Sequence, residues 1–479
     1  MRLLKITVLA LVVFIFNTSC FKDKDDDVLL NNDVIEINDF VYKAMNGVYL
    51  YKSKIPNLAN DHFASNEAYS NYLNSYATPE DLFESVIYQR EVVDRFSYIT
   101  SDGVALLQQL DGVFKSNGLE YLLYREQGSD TKVFGVIKIV LNNSAASNKG
   151  LERGQVFNAV DGIQLTVDNL NQLLDKDTYT LNFATYDHNN TPESADDTII
   201  PTSESITLTK EIYNENPVYL TKVLEVNGKK VGYLVYNSFT ADYNSQLNDA
   251  FAELKSKNVQ ELVLDLRYNG GGSVNSALLL GSMITGQFNG QVFSKLVYNE
   301  ELQELNSNYK FTSTLNNGAT LNSLNLQKVY VLTTNGTASA SELIINSLRP
   351  YIEVVQIGVN TRGKTQASMP IFDSPDFGPN NANPSHNYVI LPLIANSVNK
   401  NEVLVPSSGI IPIVELKEHP ATLGTLGDVN EPLLAAALSN IGSMARNLPQ
   451  QTDAMEPIEN TIDAKVIDDR MFVDKSFKN

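Results

Sequence analysis

Glu261-Leu262-Val263-Leu264-Asp265-Leu266-Arg267-Tyr268-Asn269-Gly270-Gly271-Gly272 is the stretch whose reading decides the fold. Its apolar first half predicts a buried strand, and the residues from Ser273 to Ile284 predict a helix after it. The three glycines between them permit tight backbone geometry and leave N–H groups uncovered. The same alternation continues on both sides. Upstream, Val231–Tyr236 reads as a strand and Tyr243–Lys257 as a helix. Downstream, Val329–Thr333 leads to a helix over Ser339–Leu348, and Val354–Ile357 is a further strand. Repeated strand and helix predict an α/β core, with ligands gathered at the carboxyl ends of the strands. The glycine run lacks the Gly-Lys-Ser/Thr ending of a phosphate loop and the Gly-x-Gly-x-x-Gly of a dinucleotide site. Amides aimed at a developing negative charge fit it better.

A second segment, Asn335-Gly336-Thr337-Ala338-Ser339-Ala340-Ser341-Glu342-Leu343, also follows a predicted strand. A serine there, flanked by alanines at a strand-to-helix junction, is a candidate nucleophile that still needs a base. His62, His188, His386 and His419 lie in no comparable motif. Lys364, in Thr361-Arg362-Gly363-Lys364-Thr365-Gln366, follows Ser339 by 25 residues. A buried lysine favours its neutral amine and replaces histidine in Ser-Lys variants of the triad.

Upstream of this core the period changes. Residues 61–112 read mostly helical, with Thr78-Pro79-Glu80-Asp81 as a capped helix start. That helix is expected to bury Leu82, Val86, Ile87 and Val92 or Val93, and a second runs from Ser101 to Leu110. Leu119–Tyr124 and Val133–Val140 are β-rich, Gly150–Gly162 combines a glycine-ended turn, a strand and an Asp-Gly turn, and Thr178–Ala184 closes the pattern. The polar stretch 187–201 reads as a loop or hinge, and the residues from about Met444 as peripheral. At the start of the chain, Met1-Arg2-Leu3-Leu4-Lys5 and an apolar run to Phe16 describe a secretory signal, too short to span a bilayer. The single cysteine, Cys20, sits where that signal ends.

Composition narrows the rest. With 56 acidic and 36 basic side chains the formal charge is -20, which argues against nucleic acid as a partner. One cysteine excludes an intrachain disulfide and any multi-thiolate metal site, and no His-Glu-x-x-His is present, so no metal or other cofactor is expected. The 479 residues exceed one ordinary core, and the expected fold class is multidomain α+β.

Together, Asp265–Gly272, Gly336–Glu342 and Gly363–Lys364 resemble the S41 family of serine peptidases, the carboxy-terminal processing or tail-specific proteases. The segment around Gly150–Gly162 resembles a PDZ domain, and Cys20 resembles the acylated cysteine of a bacterial lipoprotein. The resemblance implies Ser339 as nucleophile and Lys364 as general base, with the amides of Gly271 and Ala340 as oxyanion hole. Many members orient the lysine with a glutamine four residues on. Ser368 stands there in this chain and Gln366 two residues after the lysine, so either is a candidate. Asp265, Arg267, Asn269 and Glu342 are expected to support the site, and Asn117-Gly118-Leu119-Glu120 to receive a peptide carboxylate.

The implied layout is a signal peptide (1–19), a lipidated tether and linker (20–55), an N-terminal helical domain (56–112), a PDZ-like domain (113–186), a ClpP/crotonase-like α/β catalytic core (187–440) and a C-terminal extension (441–479). The expected partners are a peptide or protein substrate and a membrane lipid through acylated Cys20. The implied location is the outer membrane, and the acidic Phe21–Asp27 tether resembles signals for export to the cell surface. Two other readings share the scaffold: a non-catalytic peptide-binding envelope lipoprotein, and a hydrolase of small esters.

Overall fold

Thr78 begins a helix over Pro79–Ser85 by accepting the Asp81 amide on its Oγ1 at 3.1 Å, with Pro79 in the first turn and two acids beside the exposed amides. The helix is shorter than its apolar spacing predicts. Gln89 takes φ 47°, and the fully buried Asp94 accepts the amides of Phe96 and Ser97, which folds the chain back. Leu82, Val86 and Ile87 are buried as expected, but Val92 lies past the helix end and is 70% exposed.

The computed structural model describes residues 33–189, 191, 194–441, 455, 457–458 and 471–473. The signal, Cys20 and the tether up to residue 32 lie outside the described residues. Asp33–Val48 forms a helix that buries Phe40, Val41, Ala44, Met45 and Val48, so the linker expected up to residue 55 is corrected from Asp33 onward. The apolar spacing of that stretch carried the signal, and its acidic, Asn-rich approach masked it.

The chain forms two compact units. One contains the described residues up to Ser101 with Asn299–Leu302 and Pro370–Ile394. It holds the helices Asp33–Val48, Asn66–Asn74 and Pro79–Ser85 and a three-stranded sheet in the order Tyr98–Thr100, Val389–Leu391, Ile371–Phe372. Residues 370–394, expected in the catalytic core, therefore belong to this unit.

The second unit contains the α/β core. Its sheet runs in the order Val218–Val226, Lys229–Tyr236, Glu261–Asp265, Lys328–Thr333, Glu353–Gly358, Val414–Glu415. The first pair is antiparallel and the remainder parallel. Helix Pro432–Ile441 packs Leu433, Leu434, Ala437 and Leu438 on Tyr233, Val263, Leu332 and Ile357, while helices Val274–Thr285 and Ala340–Leu348 are almost wholly buried. Another sheet has the order Gly272–Ser273, Met471–Phe472, Gln366–Ser368, Leu393–Asn399, Val292–Tyr298, Ser307–Lys310. Met471, Phe472 and Val473 are buried, which corrects their reading as peripheral.

The same unit contains a β-rich module, in the order Leu119–Arg125, Val133–Val140, Val156–Val160, Thr178–Asp187, Thr198–Thr209. Its core joins Leu123, Val133, Ile137, Phe157, Val160, Leu174 and Leu181. Thr198–Thr209 pairs along Thr178–Asp187, so the polar stretch 187–201, read as a loop or hinge, is a loop between two strands of one sheet whose last residues begin the second strand, and the module continues past residue 186. Gly135 lies opposite Phe157, and a Cβ there would sit 2.1 Å from the ring. Gly135→Ala should cost about 1–3 kcal/mol by overpacking. A thermal midpoint unchanged from wild type would contradict this packing.

Candidate active site

Parallel pairing places the two chemistry-bearing loops side by side. Asp265 ends its strand opposite Leu332, so Leu266–Gly272 and Thr334–Ser339 leave adjacent strands at the same carboxyl edge. Cross-links then fix them. Thr337 Oγ1 donates to Leu266 O at 2.8 Å, Thr334 Oγ1 donates to Arg267 O, and Asn269 O accepts Ala338 N at 3.1 Å and Ser341 Oγ at 3.0 Å. Strand Glu353–Gly358 is the next neighbour, and the Arg362 amide following it donates to Thr337 O at 3.0 Å.

Ser339 stands at the junction into helix Ala340–Leu348 with φ 63° and ψ −113°. A side chain other than glycine rarely adopts this geometry, which costs about 1–3 kcal/mol and is held by its surroundings. Strained turns of this kind lift a nucleophile out of a strand-to-helix turn. Ser339 is buried, and its Oγ has no hydrogen-bond partner among the described residues. Ala340 is the first residue of the helix and is likewise buried.

One side chain ties Ser339 and Lys364 together. Glu342 Oε2 accepts the Ser339 amide at 2.8 Å and the Lys364 amide at 2.9 Å. Two donors on one oxygen leave these nitrogens under about 6 Å apart. Glu342 Oε1 accepts Thr361 Oγ1 at 2.5 Å and the Gly363 amide at 2.7 Å. Burial pushes the Glu342 carboxyl above its ordinary value, and these hydrogen bonds pull against that rise. Lys364 has no solvent exposure. Its loop turns at Gly363, where φ is 85° and a Cβ would lie 2.1 Å from Ser407 O. The strand Gln366–Ser368 follows; Gln366 is half-buried, while Ser368 is buried with an Oγ that has no partner among the described residues.

The glycine loop is arranged differently from the expectation. The Gly271 amide, expected to receive an oxyanion, donates to Asn269 Oδ1 at 2.9 Å and is engaged within its own loop. Asn269 is itself fixed, donating through Nδ2 to Tyr236 O at 2.7 Å. Gly272 has φ 130°, and a Cβ would approach Phe239 O to 2.5 Å.

Asp265 and Arg267 act one layer below. Arg267 is buried and bonds Asp265 through Nε at 2.9 Å, and Glu431 and Glu418 through one terminal nitrogen at 2.7 and 2.9 Å. Arg153 joins the network at Glu418 (2.6 Å) and Tyr268 Oη (2.7 Å). Burial alone would raise the Glu418 carboxyl, but Arg153 and Arg267 beside it hold it below the usual range. Arg153, Glu418, Glu431 and Thr361 were not singled out from sequence. Their partners lie up to 271 residues away, and no local spacing marks them.

The other sequence candidates lie elsewhere. The Gly118 amide donates to Ser116 Oγ at 2.9 Å and the Leu119 amide to Asn117 Oδ1 at 3.0 Å, so two amides of the expected carboxylate loop are satisfied internally. Asn117 is buried against Tyr179 Oη at 2.8 Å, and Glu120 lies in the strand opposite Ile139. His386 bonds Asp373, and His419 stacks with His188.

Comparison with known proteins finds relatives of two regions of the chain. The profile of Peptidase family S41 matches residues 230–375, and that of the Peptidase S41 N-terminal domain matches residues 36–98. The carboxyl-terminal-processing protease of Picosynechococcus sp. is 28% identical over 175 residues, 36% of this chain and 38% of that protein. The chloroplastic carboxyl-terminal-processing peptidase 2 of Arabidopsis thaliana is 30% identical over 169 residues, 34% of this chain and 30% of that one. The chain thus matches well under half the length of these curated relatives. A crystal structure of an S41-family protease from Bacteroides fragilis NCTC 9343 has 29% identity and a TM-score of 0.67, covering 87% of this chain and 98% of that one. The chain therefore carries a peptidase family S41 domain over residues 230–375 and an S41 N-terminal domain over residues 36–98.

Two substitutions test the site's physical basis. Ser339→Gly should be more stable than Ser339→Ala by about 1 kcal/mol, since glycine adopts the strained backbone freely. Equal melting temperatures would remove the strain argument. Arg267→Met leaves three carboxylates without their shared cation and should cost about 3–5 kcal/mol. A loss below about 1 kcal/mol in a denaturant titration would mean the network carries little stability.

Proposed function

We propose that this chain is a serine endopeptidase with a Ser339–Lys364 dyad that cleaves polypeptides near their C-termini. The observation that carries the reading is the Glu342 Oε2 contact shared by the Ser339 and Lys364 amides, which sets nucleophile and base on one anchor.

In the proposed reaction neutral Lys364 takes the Ser339 hydroxyl proton as Oγ bonds to the scissile carbonyl carbon. The carbonyl oxygen becomes an oxyanion received by the Ala340 amide and by the Gly271 amide once it leaves Asn269. Protonated Lys364 gives its proton to the leaving nitrogen as the C–N bond breaks. Water, deprotonated by Lys364, then hydrolyses the acyl-enzyme and regenerates Ser339. Ser368, whose buried Oγ is uncommitted, is the favoured orienting group for the lysine, with Gln366 as second candidate. The β-rich module is proposed to hold the substrate's C-terminus, and an acylated Cys20 to anchor the chain in the bacterial envelope. A Cys20→Ser chain that still partitions with membranes would remove the anchoring proposal.

The test uses unstructured polypeptides with apolar C-termini. Wild type should cleave them, Ser339→Ala should not, and Lys364→Ala should lose about 10²–10⁴-fold in kcat. Peptide binding without cleavage by wild type would favour the non-catalytic reading, and cleavage by Ser339→Ala would overturn the mechanism. Amidating the substrate's C-terminus should weaken binding; unchanged affinity would sink carboxylate recognition.

A further inference from the structure

The strand Met471–Phe472 lies between two segments that the proposed chemistry needs. On one side it pairs in parallel with Gly272–Ser273, Met471 opposite Gly272 and Phe472 opposite Ser273. On the other, Phe472 lies opposite Ser368, and the Val473 amide donates to Ser368 O at 3.0 Å. Gly272 directly follows the Gly271 amide, and Ser368 ends the strand that begins two residues after Lys364. All three inserted residues are buried, with Met471 1% exposed. The insertion is a seated strand, not a surface contact.

A second piece of the same distal region pairs with the β-rich module. Leu119–Arg125 is the outer strand of that sheet, and it follows the loop expected to receive a peptide terminus. The Ile458 amide donates to Leu123 O at 2.7 Å in an antiparallel bridge, and Ile458 packs on the module's core. Met455 packs beside Tyr124 and Phe134, and its sulfur accepts Tyr186 Oη at 3.4 Å. An added strand on a sheet edge is the mode by which peptides bind such edges.

We propose that Met455, Ile458 and Met471–Val473 occupy the enzyme's own peptide tracks, with Met471–Val473 filling the substrate strand position beside the catalytic loops. The inference rests on the peptidase reading of Ser339 and Lys364. A polypeptide presenting a carbonyl to Ser339 lies in extended form between the glycine loop and the lysine strand. The Ser368 carbonyl that would align it already accepts Val473. The buried strand already occupies that position, so substrate and distal strand exclude one another, and the resting enzyme is self-blocked. Ile458 does the same at the module's outer edge, so one segment covers both tracks.

The test compares a chain running to residue 479 with one ended after residue 469, and adds a synthetic peptide of residues 466–479. The ended chain should cleave a fluorescent unstructured polypeptide with kcat/KM at least tenfold higher, chiefly through KM. The peptide added in trans should inhibit it competitively, and a peptide carrying Met471→Asp and Phe472→Asp should not. Full-length Phe472→Asp should be activated like the ended chain. Equal or lower activity of a folded ended chain overturns the proposal. So does activity that the trans peptide restores, because the strand would then complete the working fold. Binding of labelled peptide to the Ser339→Ala chain, followed by anisotropy, separates the two layers. Binding to the ended chain alone, with no cleavage by any form, supports the blocked track and sinks the peptidase reading. Cleavage at equal rates with no peptide binding sinks the blocked track and leaves the peptidase reading standing.

Discussion

A carboxylate with no exposure to water is expensive unless its oxygens are fully bonded, and Glu342 meets that condition with four donors. Those donors come from the helix start at Ser339 and from the Thr361–Lys364 loop. The cost of leaving any of them out therefore acts on both segments together. Thr361 extends the arrangement, since its Oγ1 donates to Glu342 and accepts the Ile410 amide at 2.7 Å. Relative placement of Ser339 and Lys364 is thereby set by backbone amides, whose directions the fold fixes, and not by two flexible side chains finding each other. Such anchoring also accounts for the unusual backbone at Ser339, because the Glu342 contact holds its amide in a conformation that the isolated chain would leave.

Beneath the loops, the arginine network does a related task at longer range. Arg267 and Tyr268 lie in the glycine loop, Arg153 in the β-rich module, and Glu418 and Glu431 on segments that follow the last strand of the α/β sheet. Tyr268 Oη donates to Glu418 at 2.8 Å while accepting from Arg153. A change in the module that moved Arg153 would leave Glu418 short of a cation, and the glycine loop would feel it through Arg267. Removing one partner from a buried network of this kind is costly because it leaves the remaining charges uncompensated.

The parts legible in sequence are those with local causes. Val263 and Leu264 in an apolar run, the glycines after them, and Thr78 ahead of Pro79 each act within a few residues, and the structure places them as read. Ser339, Lys364 and Glu342 could be singled out because they sit in recognisable blocks, but the anchoring of Ser339 and Lys364 on Glu342 was not visible because it joins atoms 22 residues apart. Gln89 and Asp94, which stop a helix whose apolar spacing continues, act through backbone conformation and buried amide contacts that spacing does not encode. The helix Asp33–Val48 and the strand Met471–Phe472 were missed for another reason. Each is short or flanked by acidic and polar residues, and its burial comes from partners distant in sequence. The strand Thr198–Thr209 is mostly exposed, so its polar character reads as a loop although its backbone completes a sheet.

The Asn269 contact to the Gly271 amide bears on how the proposed reaction would discriminate between ground and transition states. A buried N–H left bare costs about 1–3 kcal/mol, and the side-chain carbonyl removes that cost while the site is empty. A substrate carbonyl is no better an acceptor than the amide oxygen it would displace, so the exchange gains little on binding. A developing oxyanion is different, since charge-assisted hydrogen bonds are roughly twice as strong as neutral ones. The Gly271 amide would then transfer to the reacting oxygen as charge forms on it, which concentrates its contribution in the transition state. Tyr236 O keeps the Asn269 side chain in position through Nδ2, so the displaced Oδ1 stays close and recovers the amide after turnover. An oxyanion donor that rests on a neutral acceptor is stable in the empty enzyme and selective for charge.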